Sequence, residues 1–251
     1  MELSKTKLGQ YAGLQRGKMR EKEGLFVAEG RKSVLDLLPY FRAEAVICLR
    51  GCDVAGELPQ GVTLYETGEK EMRKLSSLTT PPDMLAVFRI PQEIAEEDLK
   101  VEDGLYLLLD GVRDPGNMGT IIRTAHWFGI DAIFASRDCV DIYNPKTIQA
   151  TMGSLGRVKV RYCDLAALIK ENGDMPVYGT LLDGENIYEA NLGQRGFILM
   201  GNEGKGISAE LRELITDGLL IPPYNATDHS ESLNVAVATG VVLSLFRRNA
   251  R

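Results

Sequence analysis

Residues 105–128 read LYLLLDGVRDPGNMGTIIRTAHWF, and this stretch decides the fold class. It opens with an unbroken apolar run, Leu105–Leu109, as expected for a strand that is buried on both faces. Three glycines and a proline follow and predict a tight loop, after which the apolar spacing predicts a helix over about 117–128. Asn117 stands where it can cap the first turn of that helix. A buried strand, a tight loop and a helix together indicate one unit of a parallel α/β sheet.

The same alternation continues to the end of the chain. Further strands are predicted at 132–135, 158–162, 177–182, 197–200 and 218–221, and helices at 145–155, 165–170, 207–215 and 232–248. The last helix carries small and β-branched residues on nearly all sides, so we expect it to be buried all round. Strands that alternate with helices favour a parallel sheet covered on both faces.

The N-terminal part of the chain shows a second, smaller α/β pattern. A polar helix is predicted over residues 3–22, and short strands and helices alternate from there to residue 90. Residues 91–103, PQEIAEEDLKVED, are acidic and contain a proline, as is typical of a linker. We therefore expect a smaller α/β domain over residues 1–95, a linker over 96–103 and a larger α/β domain over 104–251.

The charge of the chain gives no general signature of nucleic-acid binding. The formal net charge is −6, whereas nucleic-acid-binding domains are usually basic. The predicted N-terminal helix nevertheless contains a cluster of basic residues that includes Arg16, Lys18 and Arg20. Two interpretations stay open for this cluster: it contacts RNA phosphates, or it is a solvated helix face.

Several classes of protein are disfavoured by composition. The chain has four cysteines and two histidines without a Cys-x-x-Cys pair, so a metal site is not expected. No apolar stretch reaches the roughly 18 residues that a transmembrane helix needs, and the N-terminus lacks the apolar core of a signal peptide. We therefore expect a soluble, cytoplasmic protein with no metal and no membrane partner.

Three polar or glycine-rich segments follow predicted strands, at the edge where open parallel sheets bind ligands. They are residues 110–123, residues 201–206 (GNEGKG) and residues 221–235, which end in SLNV. The glycine spacing of the second fits neither a dinucleotide-binding motif nor a P-loop. Taken singly, each segment has an ordinary explanation: a surface arginine at Arg123, a glycine turn, and helix capping by Ser232 and Asn234.

Taken together and in this order, the three segments resemble the motifs of the SpoU/TrmH family of trefoil-knotted SPOUT methyltransferases. The resemblance is carried by PGNMGTIIR at 115–123, by GNEGKGI at 201–207, and by Ile-Pro at 221–222 followed by SLNV at 232–235. It covers the chain from residue 105 to the end. Residues 23–30, EGLFVAEG, are similar to a substrate-binding domain often found ahead of this fold, so the domain over 1–95 is expected to bind RNA.

The resemblance implies a fold, a cofactor and an assembly. The fold would be an α/β sheet with a deep knot, and the knot would bind S-adenosyl-L-methionine (AdoMet). The positions that match cofactor contacts of the family are Thr180, Met200, Gly201, Ile221 and Leu233. The family works as a homodimer in which residues of both subunits lie near each active site.

The resemblance also implies a reaction, namely methyl transfer to a ribose 2′-hydroxyl, of ribosomal RNA in the first place and of transfer RNA in the second. Arg123 matches the arginine that acts on the hydroxyl, and because arginine stays protonated we expect positioning and electrostatic help rather than proton abstraction. Asn117 and Glu203 would orient the substrate or fix the loop. Ser232 and Asn234 would bind near the methyl donor or acceptor.

Two further interpretations stay open, and the sequence departs from the family at residues 223–231 and, mildly, at Met152-Gly153-Ser154. The chain could be an RNA-binding protein of the same fold without catalysis, or a nucleotide-dependent enzyme of ordinary doubly wound fold that prefers a dinucleotide. The connection over residues 223–231 is longer than in many relatives, and Asp228, His229 and Glu231 make it polar.

Overall fold

The computed structural model describes residues 1–91, 100–225 and 232–248. The chain forms two compact units, one made of Met1–Glu93 and Asp141–Arg157 and the other of Ile94–Val140 and Val158–Arg251. Residues 141–157 thus group with the N-terminal part of the chain, whereas the linear division predicted from the sequence assigns them to the larger domain. Much of the predicted linker lies outside the described residues, and so do Asp228, His229 and Glu231.

The N-terminal unit is built on a four-stranded mixed sheet in the order β1-β4-β2-β3. Its strands are β1 Leu25–Glu29, β2 Ala43–Leu49, β3 Leu64–Thr67 and β4 Met84–Arg89, and its first helices are α1 Lys5–Gly13, α2 Gly17–Glu23, α3 Arg31–Leu37 and α4 Glu69–Leu75. Strand β4 is antiparallel to β1 and β2, whereas β2 and β3 are parallel. The central strands are apolar at almost every position because both faces of the sheet are buried, as side chains such as Phe88 and Val87 show.

The polar N-terminal segment forms two helices instead of the single helix predicted over 3–22. Helix α1 ends at Gly13 and α2 begins at Gly17, with Arg16 between them in an extended conformation. Glycine costs roughly 1 kcal/mol relative to alanine inside a helix, so two glycines four residues apart make this a favourable place for the break. Leu14 is fully buried at this bend and belongs to the hydrophobic core of the unit.

Arg20 is a structural residue of the N-terminal unit, and its predicted role in RNA binding is wrong. Its side chain is buried. Its Nε and Nη2 atoms donate to Asp141 at 2.9 and 2.7 Å. Its Nη1 atom donates to the carbonyl oxygens of Leu14 and Gln15. The pattern of basic residues could not reveal this contact, since Asp141 lies 121 positions away in the sequence.

The C-terminal unit is built on a six-stranded sheet in which every pair of neighbouring strands is parallel, in the order β10-β8-β9-β5-β6-β7. The strands are β5 Leu105–Leu109, β6 Ala132–Ala135, β7 Val160–Tyr162, β8 Val177–Asn186, β9 Gly196–Met200 and β10 Asp217–Leu220. The helices of this unit are α5 Pro115–Trp127, α7 Leu165–Glu171, α8 Ala209–Arg212 and α9 Val235–Phe246. Helix α6, Pro145–Thr151, belongs to the N-terminal unit. The predicted parallel α/β sheet is therefore confirmed.

Helices cover both faces of this sheet. On one face, Phe134, Phe197 and Leu199 pack with side chains of α7 and α8 such as Ile169 and Leu211. Helices α5 and α9 contact each other and also bury apolar side chains. Every residue of β5 and β9 is buried, which explains their unbroken apolar sequences.

Helix α6 and the turn that follows it belong to the N-terminal unit. The Tyr143 ring lies 4.9 Å from the Phe26 ring, measured between centroids. The Arg157 guanidinium lies 5.1 Å above the Tyr40 ring. The predicted helix over 145–155 ends earlier, at Thr151, because Met152 and Gly153 both adopt positive φ values.

Three helices of the C-terminal unit differ from the prediction. Helix α5 begins at Pro115 and is capped by Asp114, so the prediction of Asn117 as its N-cap is wrong; proline is favoured at this first position because its φ is already helical. The predicted helix over 207–215 shrinks to the four residues of α8. Helix α9 is buried on one face only, since Val237 is 55% exposed, and the predicted all-round burial is wrong.

Candidate active site

A cavity of about 550 Å³ lies at the carboxyl ends of β9 and β10 and beside residues 180–183 of β8, which follow the part of β8 that pairs with β9. The sequence-predicted cofactor residues all line it: Thr180, Met200, Gly201, Ile221 and Leu233. They meet because the carboxyl ends of neighbouring parallel strands share one edge of the sheet. Ser232 and Glu203 line the same cavity. Their contacts with a cofactor stay a prediction, but the placement brings together segments that are far apart in the chain.

Gly201 is required by the close approach of two backbone segments. A Cβ atom at this position would lie 2.4 Å from the carbonyl carbon of Gly206 and from the nitrogen of Ile207. Distances under 3 Å are not tolerated when the neighbour is backbone. The glycine therefore lets the loop over 201–206 close tightly at the cavity wall.

Asn202 fixes this loop and joins it to the loop after β5. Its backbone exchanges two hydrogen bonds of 2.9 Å with Gly206, and its side-chain oxygen accepts from the amides of Gly204 and Lys205. Its side-chain nitrogen donates to the carbonyl of Gly111 at 2.6 Å. Asn202 is not among the residues predicted for the site, although an asparagine beside a glycine is typical of a tight loop.

Three predicted site residues form one hydrogen-bonded chain. The Asn234 side-chain nitrogen donates to Asn117 Oδ1 at 2.9 Å, and Asn117 Nδ2 donates to Glu203 Oε1 at 2.9 Å. These hydrogen bonds join the start of α5, the glycine loop after β9 and the start of α9. Each of the three segments that the sequence analysis singled out thus contributes one side chain to a single cluster.

The direction of these hydrogen bonds is fixed at both ends. Asn234 Oδ1 caps α9 by accepting from the amides of Ala236 and Val237, which leaves its nitrogen to face Asn117. Glu203, when ionised, can only accept hydrogen bonds, so Asn117 must turn its nitrogen toward it. Asn234 therefore both caps α9 and takes part in the cluster.

The loop between β5 and α5 is fixed by acidic residues on both sides. Asp110 accepts from the amide of Ser208 at 2.7 Å, and Asp114 accepts from the amide of Asn117 at 2.8 Å. Asp138 accepts from Ser136 and pairs with Arg113 at 3.0 Å. These hydrogen bonds, that from Ser136 first, hold the pKa of Asp138 below its usual range. The cluster thus stands on a loop with few alternative conformations.

Comparison with known proteins identifies this arrangement. Residues 104–244 match the SpoU rRNA Methylase family, and residues 5–86 match the MRM3-like substrate binding domain. The chain belongs to the SpoU rRNA methylase family. The range over 104–244 contains all six strands of the C-terminal sheet and the cluster of Asn117, Glu203 and Asn234.

Relatives of known sequence and structure share the full length of this SpoU methylase. It is 31% identical to the 23S rRNA (guanosine(2553)-2′-O)-methyltransferase RlmP of Bacillus subtilis, over 94% of each chain. Among solved structures it is similar to an RNA methyltransferase of the TrmH family from Porphyromonas gingivalis, with a TM-score of 0.87, 38% identity and 99% coverage of each chain. An AdoMet-bound rRNA methyltransferase from Sinorhizobium meliloti gives a TM-score of 0.86 at 28% identity, covering 100% of this chain and 98% of that one.

The predicted catalytic residue Arg123 lies outside both the cluster and the cavity lining. It lies on an exposed face of α5 and makes no ion pair with any residue of the described ranges. Asn117 lies six residues earlier, which at 3.6 residues per turn places the two side chains on different faces of the helix. Trp127, one turn further on, shares the face of Arg123 and is 83% exposed. Arg123 and Trp127 therefore present a cation and an aromatic ring to a common surface of this SpoU methylase.

The remaining predictions concern the basic residues of the N-terminal unit, metal binding and membrane insertion. Arg16 and Lys18 are exposed in the N-terminal unit. Within the described ranges no group of three potential ligands could hold a metal ion. No helix among the described residues is both long and apolar enough to cross a membrane.

Proposed function

We propose that this chain is an AdoMet-dependent methyltransferase that methylates the ribose 2′-hydroxyl of a ribosomal RNA nucleotide, specifically a guanosine of 23S rRNA. The observation that carries the proposal is the hydrogen-bonded cluster of Asn234, Asn117 and Glu203, whose Glu203 lines a ligand-sized cavity. Membership of the SpoU family and the named activity of RlmP support the choice of reaction and of rRNA over tRNA. The AdoMet-bound relative from Sinorhizobium meliloti supports the cofactor.

The cavity fits AdoMet in size and in chemistry. Its volume of about 550 Å³ falls within the range of roughly 300–1,000 Å³ that small-molecule sites occupy. Met200, Ile221 and Leu233 offer apolar surface for a purine ring, whereas the loop over 201–206 offers backbone groups. Thr180 donates its hydroxyl to the carbonyl of Leu199, and so fixes the inner wall. The deep knot that the family fold implies is part of this proposal.

The residues of the chain would act on the attacking hydroxyl. Bound AdoMet would supply a sulfonium-activated methyl group, so that the new O–CH3 bond forms as the S–CH3 bond breaks. Arg123 stays protonated and would stabilise the negative charge that develops on the 2′-oxygen while the hydroxyl proton passes to water. Asn117, held between Asn234 and Glu203, would orient the ribose, and Ser232 would contact the substrate at the cavity rim.

A homodimer would complete the site. Arg123 and Trp127 lie on an exposed face of α5, and Val237 is exposed on the neighbouring helix α9. Large exposed aromatic and apolar side chains mark interaction surfaces, and aromatic and arginine side chains are enriched there. We propose that two copies pack through α5 and α9, and that each Arg123 serves the Asn117 cluster of the other subunit.

Mixing two inactive variants tests this arrangement. Arg123→Ala and Asn117→Ala would each slow methylation about a hundredfold or more, but a dimer of one with the other contains one site with both native residues. Random mixing in an isologous dimer predicts recovery of about a quarter of the wild-type activity. If Arg123 served its own subunit, the mixture would stay inactive. Trp127→Asp should give a monomer by light scattering.

The N-terminal unit would bind RNA, in the cytoplasm. Its match to a substrate-binding domain and the exposure of Arg16 and Lys18 support the first part, and four free thiols support a reducing compartment. Charge reversal at Arg16 and Lys18 should weaken RNA binding and reduce its salt dependence, because phosphate contacts release counterions. AdoMet affinity should not change. Unchanged RNA affinity in fluorescence anisotropy would exclude these two residues from the RNA interface.

Activity itself is tested with purified rRNA and AdoMet that carries a labelled methyl group. The wild-type protein should transfer label to 23S rRNA, and digestion should release it as 2′-O-methylguanosine. Arg123→Ala should bind AdoMet normally and transfer at least about a hundredfold more slowly, the usual loss when one charge-stabilising group is removed. RNA affinity without transfer would favour a non-catalytic RNA-binding protein.

A further inference from the structure

Strand β8 carries a large irregularity at the cofactor cavity. Gly179 pairs with Gly218 of β10, and the next pair is Glu185 with Leu219, so residues 180–184 have no partners in the β10 ladder. We call these residues, Thr-Leu-Leu-Asp-Gly, the β8 bulge. Bulges commonly redirect side chains beside functional sites.

The β8 bulge is fitted closely against β10 at its base. A Cβ atom on Gly184 would lie 2.7 Å from the backbone of both Gly218 and Leu219. A Cβ atom on Gly218 would lie 3.0 Å from the Leu181 side chain. The bulge therefore leaves and rejoins the strand at fixed points, while its tip is exposed, with Leu182 at 72% exposure.

One ion pair ties the tip of the bulge to the body of the unit. Arg212 Nη2, on α8, lies 2.8 Å from Asp183 Oδ1 and 2.5 Å from Asp183 Oδ2. This guanidinium is the first cause of the lowered pKa of Asp183. Both partners line the cavity, as do Thr180, Leu181 and Leu182. The outer wall of the cavity is thus the β8 bulge, and the Asp183–Arg212 pair holds its tip.

We infer that Asp183 and Arg212 are positioning residues for the cofactor: their ion pair holds the β8 bulge in place as a wall of the AdoMet cavity. This inference rests on the proposed function, because it takes AdoMet as the ligand of the cavity. When the pair is broken, the bulge gains conformations in which Leu181 and Leu182 no longer face the ligand. Binding then has to restrict those conformations, which lowers affinity without altering the transfer step.

The test compares AdoMet affinity in the full-length protein by calorimetry. Asp183→Asn and Arg212→Gln should each raise the Kd for AdoMet about two- to fivefold, the range expected for an exposed pair. The double variant Asp183→Arg/Arg212→Asp restores the attraction with reversed charges and should return the Kd to within about twofold of wild type. Arg195→Gln removes a half-exposed arginine whose pairing with Asp103 at 2.6 Å lies away from the cavity, and it should change nothing.

Kinetics separate a positioning role from a general structural one. The single variants should raise the KM for AdoMet in step with the Kd, while kcat at saturating AdoMet and the KM for RNA stay at wild-type values. Gly184→Ala moves the bulge without touching a charge and should also weaken AdoMet binding.

Two results would overturn the inference. Wild-type affinity in both single variants would show that the bulge needs no ion pair. Failure of the reversed pair to recover affinity would show that Asp183 or Arg212 contacts the ligand directly. Failure of the wild-type protein to bind AdoMet at all would instead contradict the proposed function, and the two failures are therefore distinguishable.

Discussion

Asn117→Asp replaces the side-chain nitrogen of the cluster's central residue by oxygen and removes the donor of one hydrogen bond. In the wild-type protein Asn117 Nδ2 donates to Glu203 Oε1 at 2.9 Å. The aspartate places an oxygen there instead, so that two carboxylates face each other. Asn234 can still donate to the other oxygen of the new side chain. The substitution therefore tests the Asn117–Glu203 link with little change in shape.

The cost follows from the geometry. Two unit charges with centres about 4 Å apart repel by about 4 kcal/mol at an effective dielectric constant near 20. If the cluster must be closed in the transition state, this corresponds to a loss of up to about a thousandfold in kcat/KM. Two carboxylates that share a site have one pKa raised, so a proton between them restores a donor as the pH falls.

The assay is methyl transfer to 23S rRNA at several pH values between roughly 6 and 9, with Asn117→Ala as the control. The activity of Asn117→Asp relative to wild type should rise as the pH falls, because protonation of the carboxyl pair removes the repulsion. The alanine variant, which carries no new titratable group, should show a loss that does not depend on pH. Equal and pH-independent losses in both variants would refute the argument that Glu203 accepts from Asn117 during catalysis.

Three further outcomes are expected. Arg20→Ala removes a buried arginine from the half-exposed Asp141 and should lower the free energy of unfolding by about 2 kcal/mol in urea, whereas exposed Lys18→Ala should cost under about 0.5 kcal/mol; equal effects would show that the Arg20–Asp141 pair is unimportant. Gly201→Ala should reduce AdoMet affinity in calorimetry, since its Cβ meets backbone at 2.4 Å; unchanged affinity would mean that the loop adapts. Asp138 has a lowered pKa in the folded protein, so its contribution to stability is present above its unfolded pKa and is lost as the pH falls through the folded pKa. Asp138→Asn should therefore weaken the dependence of the melting temperature on acid pH. An unchanged dependence would contradict this.

The sequence was sufficient where local pattern and topology agree. The apolar run at Leu105–Leu109 predicted a buried parallel strand, and the rule that ligands bind at strand carboxyl ends predicted that the loops carrying Asn117, Glu203 and Asn234 lie at one edge of the sheet. The hydrogen bonds that join these residues needed the structure, because their donors and acceptors come from three different loops.

Features set by long-range pairing escaped the sequence analysis. Arg20 looked like part of a basic surface, and its burial depends on Asp141, which reaches the N-terminal unit only through the fold. The β8 bulge depends on which residues of β10 pair with Gly179 and Glu185, and a strand prediction contains no register. The N-cap of α5 was misassigned by three residues because Pro115 allows the helix to begin earlier than its apolar spacing suggests.

The central claim is that this chain methylates one ribose of 23S rRNA, and nucleoside mass spectrometry of ribosomal and transfer RNA from cells with and without the gene tests it most directly. The account predicts that one 2′-O-methylguanosine of 23S rRNA is lost on deletion. It should return with the wild-type gene but not with Arg123→Ala. Ribosomal and transfer RNA whose modified nucleosides are all unchanged by the deletion would contradict the account.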